Sequence, residues 1–100
     1  MRTIDLQPRD REIVLALLER FAPAIEVRVF GSRASGNARR HSDLDLVLMT
    51  ETPLDILIFA RLNAAFSESS LPFKVDVLDW ATLDEAFRRL IREKSVVIRA

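Results

Sequence analysis

The chain has 100 residues, of which 49% are hydrophobic and 30% charged, and its formal net charge at pH 7 is zero. Such an apolar composition excludes a disordered chain, and the length suits a single domain over residues 1–100. The balanced charge gives no overall positive field, so we expect no direct binding of nucleic acid. Because the chain has no cysteine, disulfides and thiolate metal sites are excluded.

Nothing in the sequence indicates a membrane or secretory segment. No apolar run approaches the roughly 18–20 residues that a membrane-spanning helix needs. The first five residues, MRTID, contain no apolar stretch of the kind that a secretory signal requires. We therefore expect a cytoplasmic protein that does not interact with membranes.

Apolar spacing predicts three elements in the first half of the chain. Residues 8–21 have helical periodicity with a proline in the first turn, and residues 25–30 alternate like a strand with one buried face. Residues 31–42 are small, polar and basic, which favours an ordered loop with room for one helical turn. Residues 43–49 are the second predicted strand.

The second half continues the alternation of helices and strands. A helix is expected to start at Thr52-Pro53 and to have an apolar stripe with further apolar residues outside it, which indicates either deep burial or partial covering by a partner. Residues 73–79 are the third predicted strand. Thr82–Glu85 has the form of a capping box that opens a last helix, and Val96–Ile98 could close the sheet as an edge strand. The pattern predicts an α/β (α+β) fold with a mixed sheet of three to four strands and helices packed against it.

Asp43 and Asp45 are two residues apart on a predicted strand, so their side chains leave the same face about 7 Å apart. Carboxylates this close repel each other unless a cation neutralises them, and Mg²⁺ typically binds one or two carboxylates together with substrate phosphates. For an isolated pair, a solvated strand face without metal is the commoner explanation. Aspartate is disfavoured within strands, so the pair requires some compensation.

Gly31 and Ser32 follow the first predicted strand and offer an open backbone, amide donors and a hydroxyl. These groups can hold phosphate oxygens, although a Gly-Ser pair alone is usually an ordinary turn. If the first two strands are antiparallel, the end of the first lies beside the beginning of the second, next to Asp43 and Asp45. A parallel pairing would separate the two features by about 20 Å.

Asp76 lies between Val75 and Val77 on the third predicted strand and therefore points away from their face. A single aspartate in this position more often makes a surface contact. If it shares a sheet face with the Asp43–Asp45 pair, however, the three carboxylates could hold two cations for in-line displacement at phosphorus.

The ordered segments Phe30–Gly36, Ser42–Leu46 and Val75–Val77 resemble the polymerase β-like nucleotidyltransferase superfamily. Its pattern is a hydrophobic residue, glycine, then glycine or serine, followed after a gap by Asp-hydrophobic-Asp/Glu and later by a strand aspartate. The chain is similar nearly end to end to the minimal nucleotidyltransferases of that superfamily. One departure is Ser35, where many relatives carry another arginine.

The resemblance implies a role for each matching residue. Gly31 and Ser32 would hold the terminal phosphates of a nucleoside triphosphate, with ATP as substrate. Two Mg²⁺ ions would bind to the catalytic carboxylates, which are Asp43, Asp45 and Asp76; the last would complete the second metal site or help to deprotonate the acceptor. Arg33 is implied as a nucleotide-binding residue, either as a phosphate contact or as the anchor of the loop.

Arg39, Arg40 and His41 precede the aspartate pair, and Trp80 follows the third strand. A solvated basic loop is the favoured interpretation of the first three, and a contact with phosphate or acceptor is the alternative. His41 lacks a second histidine or cysteine with which to bind a metal. For Trp80, packing beneath the strand is favoured over stacking on a base.

The resemblance to minimal nucleotidyltransferases also implies a partner. In that group the enzyme is an antitoxin that transfers AMP from ATP to a tyrosine of a HEPN-domain RNase toxin, which serves as acceptor and complex partner. The short chain favours an acceptor carried on another molecule. Two alternatives remain: transfer to a small molecule or an RNA end, and a non-catalytic antitoxin that neutralises its partner by binding.

Overall fold

The computed structural model describes residues 3–100, so the first two residues of the N-terminal stretch considered above lie outside the described part. The elements alternate between helices and strands, as predicted. In chain order they are helix α1 (Pro8–Phe21), strand β1 (Val27–Phe30), helix α2 (Ser32–Ser35), strand β2 (Leu44–Leu48), helix α3 (Ile56–Glu68), strand β3 (Val75–Asp79), a 3₁₀ turn (Trp80–Thr82), helix α4 (Glu85–Lys94) and strand β4 (Val96–Arg99).

The four strands form one mixed sheet in the order β3-β2-β1-β4. Strand β1 is antiparallel to both β2 and β4, whereas β2 and β3 are parallel. Of the two pairings considered for the first two strands, the structure has the antiparallel one, and the Val96–Ile98 segment lies in an edge strand as expected. The α/β fold with a mixed sheet is therefore confirmed.

Alternation along the strands separates two faces of the sheet. One face packs against α1 and α3 and contributes most of the core, which includes Val14, Leu18, Val27, Val29, Leu44, Leu46, Leu48 and Leu62. The other face meets α4, where the rings of Phe30 and Phe87 make an edge-to-face contact with centroids 5.9 Å apart. Because Phe30 is the Cα partner of Asp45, that aspartate lies on the α4 side of the sheet.

Helix α3 begins at Ile56, so the prediction of a start at Thr52-Pro53 was wrong. The Asp55 carboxylate caps the helix by accepting from the amides of Leu57 and Ile58, at 2.8 and 3.3 Å. The Leu54 amide instead donates to Asp79 at 2.7 Å. The Leu54 amide, which would lie in the first turn of the predicted helix, therefore makes a tertiary hydrogen bond instead.

The predicted capping box at Thr82–Glu85 was also wrong. Asp84 caps helix α4 by accepting from the Phe87 amide at 2.8 Å. The Thr82 hydroxyl donates to the carbonyl oxygen of Asp79 at 2.8 Å and closes the 3₁₀ turn. Thr82 therefore belongs to the 3₁₀ turn that precedes α4 and does not cap that helix.

The first turn of α3 is apolar and open to solvent. Ile56 is 79% exposed and Leu57 63% exposed, so deep burial does not explain these residues. In residues 3–100, no helix is both long and apolar enough to cross a membrane.

Candidate active site

Asp45 and Asp76 are Cα partners in the parallel ladder between β2 and β3. Partners on neighbouring strands lie about 4.8 Å apart and share a sheet face. Asp43 immediately precedes β2 and is exposed. The structure therefore brings the three aspartates together at the end of the sheet where β2 and β3 begin.

The Asp45 carboxyl group is held in an unfavourable environment for a charge. Burial raises its pKa above the ordinary value of 3.8, and the nearby charges of Asp76 and Asp43 raise it further. Among residues 3–100, no side chain or amide donates a hydrogen bond to this carboxylate. Either a bound proton or a nearby cation would relieve the repulsion.

Gly31 lies directly against Asp45. Its φ of 73° and ψ of −155° belong to a region that only glycine adopts readily. A Cβ atom at this position would overlap Oδ2 of Asp45 and come within 3.3 Å of its Cγ. The contact confirms the adjacency expected from antiparallel pairing, and it explains why the chain has glycine here.

Ser32 begins the single turn of α2 and is half-buried. Its carbonyl oxygen accepts from the Asn37 amide at 3.2 Å and from the Ser35 hydroxyl at 3.3 Å. In the part of the chain that the structure describes, the Ser32 hydroxyl itself has no hydrogen-bond partner. This hydroxyl is therefore available to a ligand that approaches the Gly31 turn.

Arg33 points into the protein, and only 5% of it is exposed. Its guanidinium group donates to main-chain carbonyl oxygens of the N-terminal segment and of the loop before β2. The guanidinium carbon lies 4.2 Å from the Phe73 ring centroid. The acceptors are the carbonyls of Asp5, Arg39, Arg40 and Ser42. These contacts correspond to the loop anchor, one of the two roles that the resemblance left open.

Lys74 also belongs to this region, although no motif in the sequence pointed to it, and its Nζ lies 3.3 Å from Oδ1 of Asp76. Lys74 precedes Asp76 by two residues at the start of a strand. This spacing was a usable signal, because it puts the two side chains on the same side of the chain. A groove of about 370 Å³ opens beside Asp76 and is lined mainly by the C-terminal half of α3 and the segment before β3.

The basic loop residues and Trp80 lie apart from the aspartates or face solvent. Arg39 and Arg40 are exposed, and the His41 Nδ1 atom lies 3.2 Å from the carbonyl oxygen of Pro72. Trp80 follows the end of β3 that is remote from Asp76, where its ring lies 5.2 Å from the guanidinium carbons of Arg88 and Arg92. These positions favour a solvated loop and a packed tryptophan.

The three aspartates present only oxygen donors, which suits a hard cation such as Mg²⁺. Within residues 3–100, no group of three or more acidic or histidine side chains is arranged so that it could hold a metal ion by itself. Mg²⁺ does not need such a group, because it keeps several water ligands and completes its shell with substrate phosphates. Burial and the nearby charges of Asp76 and Asp43 raise the pKa of Asp45, so a cation at this position would be stabilising. The residues present fit the ion.

Comparison with known proteins gives an independent result. Residues 13–100 match the family described as polymerase beta, nucleotidyltransferase. The chain is 48% identical over 96 residues to the Haemophilus influenzae protein named probable protein adenylyltransferase MntA, covering 96% of this chain and 84% of the relative. A solved structure described as a minimal nucleotidyltransferase is 38% identical, with a TM-score of 0.65 and 86% of each chain covered.

A more distant match concerns the fold alone. It is a chain from a complex of a tri-AMPylated Shewanella oneidensis HEPN toxin with an MNT antitoxin, 19% identical with a TM-score of 0.69, covering 93% of this chain and 71% of that chain. The family match includes the Gly31-Ser32 turn and all three aspartates. The sequence, the fold and the relatives therefore agree that this chain belongs to the polymerase β nucleotidyltransferase family.

Proposed function

We propose that this nucleotidyltransferase uses Mg²⁺ to transfer AMP from ATP to a tyrosine of a HEPN-domain RNase toxin, and that it acts in this way as the antitoxin. The observation that carries the proposal is the pairing of Asp45 with Asp76 directly beside the Gly31 turn. A phosphate-binding turn that contacts an acidic pair is the arrangement that nucleotidyl transfer needs, because the triphosphate and the cations must share one site.

In this proposal, the Gly31-Ser32 turn holds the terminal phosphates through its open backbone and the Ser32 hydroxyl. Asp43, Asp45 and Asp76 would hold Mg²⁺, which would supply positive charge to neutralise the triphosphate. The carboxylates also fix where the α-phosphorus lies relative to the edge of the sheet. Because burial and the neighbouring carboxylates disfavour the charge of Asp45, a bound cation would stabilise it.

Asp76 is the residue best placed to act on the acceptor. Its side chain is 41% exposed on edge strand β3, beside the groove described above. It takes the proton of the tyrosyl hydroxyl while the oxygen attacks the α-phosphorus. A new oxygen–phosphorus bond forms, the bond to the β-phosphate oxygen breaks, and pyrophosphate leaves.

The choice of acceptor and nucleotide is supported by the relatives. The Haemophilus influenzae relative is named a protein adenylyltransferase, and the Shewanella oneidensis complex contains an AMP-modified HEPN toxin bound to its antitoxin. Both descriptions combine AMP with a protein acceptor. A cytoplasmic location, where ATP and an RNase toxin would meet, belongs to the same proposal.

The test is to incubate the protein with the HEPN protein encoded beside its gene and with ATP labelled at either the α- or the γ-phosphate. We expect label from α-labelled ATP on the HEPN protein, none from γ-labelled ATP, and no label after the acceptor tyrosine is changed to phenylalanine. Chelation of Mg²⁺ should abolish labelling. A tight complex without label would overturn the proposal in favour of inhibition by contact. Label on RNA or a small molecule would overturn it in favour of another acceptor.

A further inference from the structure

Arg33 is connected to each chain segment that supplies a residue to the site. It directly follows Ser32 in the chain, so its backbone belongs to the phosphate-binding turn. Its Nε and Nη2 atoms both donate to the Ser42 carbonyl oxygen, at 3.0 and 2.9 Å, immediately before Asp43. The ring beneath its guanidinium group is Phe73, three residues before Asp76. One buried side chain therefore contacts the chain just before Asp43 and shortly before Asp76.

The N-terminal segment completes these contacts. The Asp5 amide donates to the Arg33 carbonyl oxygen at 2.8 Å, and Nη1 of Arg33 donates to the Asp5 carbonyl oxygen at 2.9 Å. Burial in a network of carbonyl oxygens fixes the guanidinium group, because each lost bond would leave a buried polar atom unpaired. A lysine could not replace this network, since an ammonium group lacks the planar fork that reaches several carbonyls at once.

We propose that Arg33 is a positioning residue, which sets the distance between the Gly31-Ser32 turn and the three aspartates without contacting the nucleotide. Transfer requires the triphosphate and the carboxylates to be in register, and a displacement of about 1 Å can lower a rate by about 100-fold. The proposal concerns the geometry of the site. It depends on the proposed AMP transfer only where transfer rates are used as the readout.

The kinetic test compares Arg33→Lys and Arg33→Met with the wild-type protein. We expect the rate at saturating ATP to fall by about 10- to 100-fold, because the reacting groups lose register, while KM for ATP changes by less than about threefold. A phosphate contact would instead raise KM and leave the saturated rate nearly unchanged, which would overturn the proposal. A lower melting temperature with an unchanged rate per folded molecule would overturn it as well.

Phe73→Leu and Arg20→Lys are the comparison variants. Phe73→Leu keeps every hydrogen bond of Arg33 but removes the ring beneath it, so we expect a smaller fall in the saturated rate, of about threefold. Arg20 is exposed and lies 5.2 Å from the centroid of another ring, Phe21, so Arg20→Lys should leave both constants unchanged. Phe73→Leu also provides a measurement if the Arg33 variants do not fold.

A binding experiment separates this inference from the proposed function. Mn²⁺ and the unreactive analogue α,β-methylene-ATP should each bind more tightly in the presence of the other, because both occupy one site. In Arg33→Lys, we expect this mutual enhancement to fall by about twofold, in keeping with the small change in KM, with little change in the affinity of either probe alone. An unchanged enhancement would contradict the positioning role even if the wild-type protein transferred no AMP.

Discussion

The parallel pair of strands β2 and β3 has acidic residues at both ends, and the carboxylates at the two ends lie in different environments. At the C-terminal end, Asp79 is only 7% exposed and accepts hydrogen bonds from the Thr50 hydroxyl and the Leu54 amide. At the N-terminal end, Asp45 pairs with Asp76 and, within residues 3–100, receives no hydrogen bond. The first carboxylate closes a structural network, whereas the second is left without a donor and among like charges.

The difference shows that burial alone does not mark the functional carboxylate. Asp79 is the more buried of the two, yet its donors come from the chain itself, and it joins β3 to the segment before α3. Asp45 is less buried, but its negative charge is disfavoured by burial and by the like charges of two neighbouring aspartates. A carboxylate whose partner must come from outside the chain is the stronger candidate for a binding site.

The largest expected difference between the two ends is in activity. Asp45→Asn or Asp76→Asn should lower the rate of AMP transfer by at least about 100- to 1,000-fold, the usual effect of removing one electrostatic group from a transfer site. Asp79→Asn should retain transfer within about threefold per folded molecule, because Asp79 lies at the far end of the strands. The rates are measured with labelled ATP, and folding is checked by circular dichroism. Near wild-type transfer by Asp45→Asn would remove the distinction.

The next largest effect concerns the glycine that faces the acidic end. Gly31→Ala should abolish transfer and destabilise the fold by about 1–3 kcal/mol, because it combines an unfavourable backbone conformation with overlap on Asp45.

Gly36→Ala is the matched control for that change. Gly36 also has a positive φ, of 82°, but a Cβ atom there would meet nothing within 4 Å. It should cost about 1–2 kcal/mol and preserve transfer. Equal effects of the two changes on the rate would show that the overlap with Asp45 does not matter.

Much of this comparison was visible in the sequence. Alternating apolar residues predicted β1, β2 and β3, whereas the antiparallel pairing of β1 with β2 was one of two possibilities that the sequence left open. Strand alternation predicted which way Asp45 and Asp76 point, but it left open whether they share a face, and Asp43 lies just before β2 rather than on it. Their catalytic and metal-binding roles remain predictions that the variants above test.

The remaining features depend on long-range contacts, which one sequence does not display. Asp79 was only the last residue of a predicted strand, and nothing local indicated that it would bind the Leu54 amide and delay the start of α3. The inward direction of Arg33 likewise depends on Ser42 and Phe73, which are distant in the chain. When the partners of a side chain are distant in the chain, only the folded structure shows which of them it contacts.

The structural role of Asp79 predicts a loss of stability. Asp79→Ala should lower the free energy of unfolding by about 2–3 kcal/mol, because it removes hydrogen bonds to a charged group and leaves Thr50 and Leu54 with unpaired donors. Urea denaturation measures the change. Asp79→Asn should cost less, since its amide oxygen still accepts one bond. A loss below about 0.5 kcal/mol for the alanine variant would show that solvent replaces the network.

The smallest effect is a dependence of stability on pH with a defined sign. Because the folded protein raises the pKa of Asp45 above 3.8, the stability associated with this group is fully present below that pH and is lost as the pH rises through the folded-state value. In the absence of divalent cations, Asp45→Asn should therefore melt at a higher temperature than the wild-type protein at pH 7. The two melting temperatures should converge below about pH 4.

Glu85 provides a control of opposite sign. A hydrogen bond from Arg92 lowers the pKa of Glu85 below its ordinary value of 4.5, so its contribution is present at neutral pH and is lost as the pH falls through the folded-state value. Glu85→Gln should thus melt slightly lower than wild type at pH 7. Added Mg²⁺ should narrow the gap between Asp45→Asn and wild type and leave the Glu85→Gln gap unchanged. If Asp45→Asn were the less stable protein at pH 7, the carboxylate would have a partner within the fold, and the contrast with Asp79 would fail.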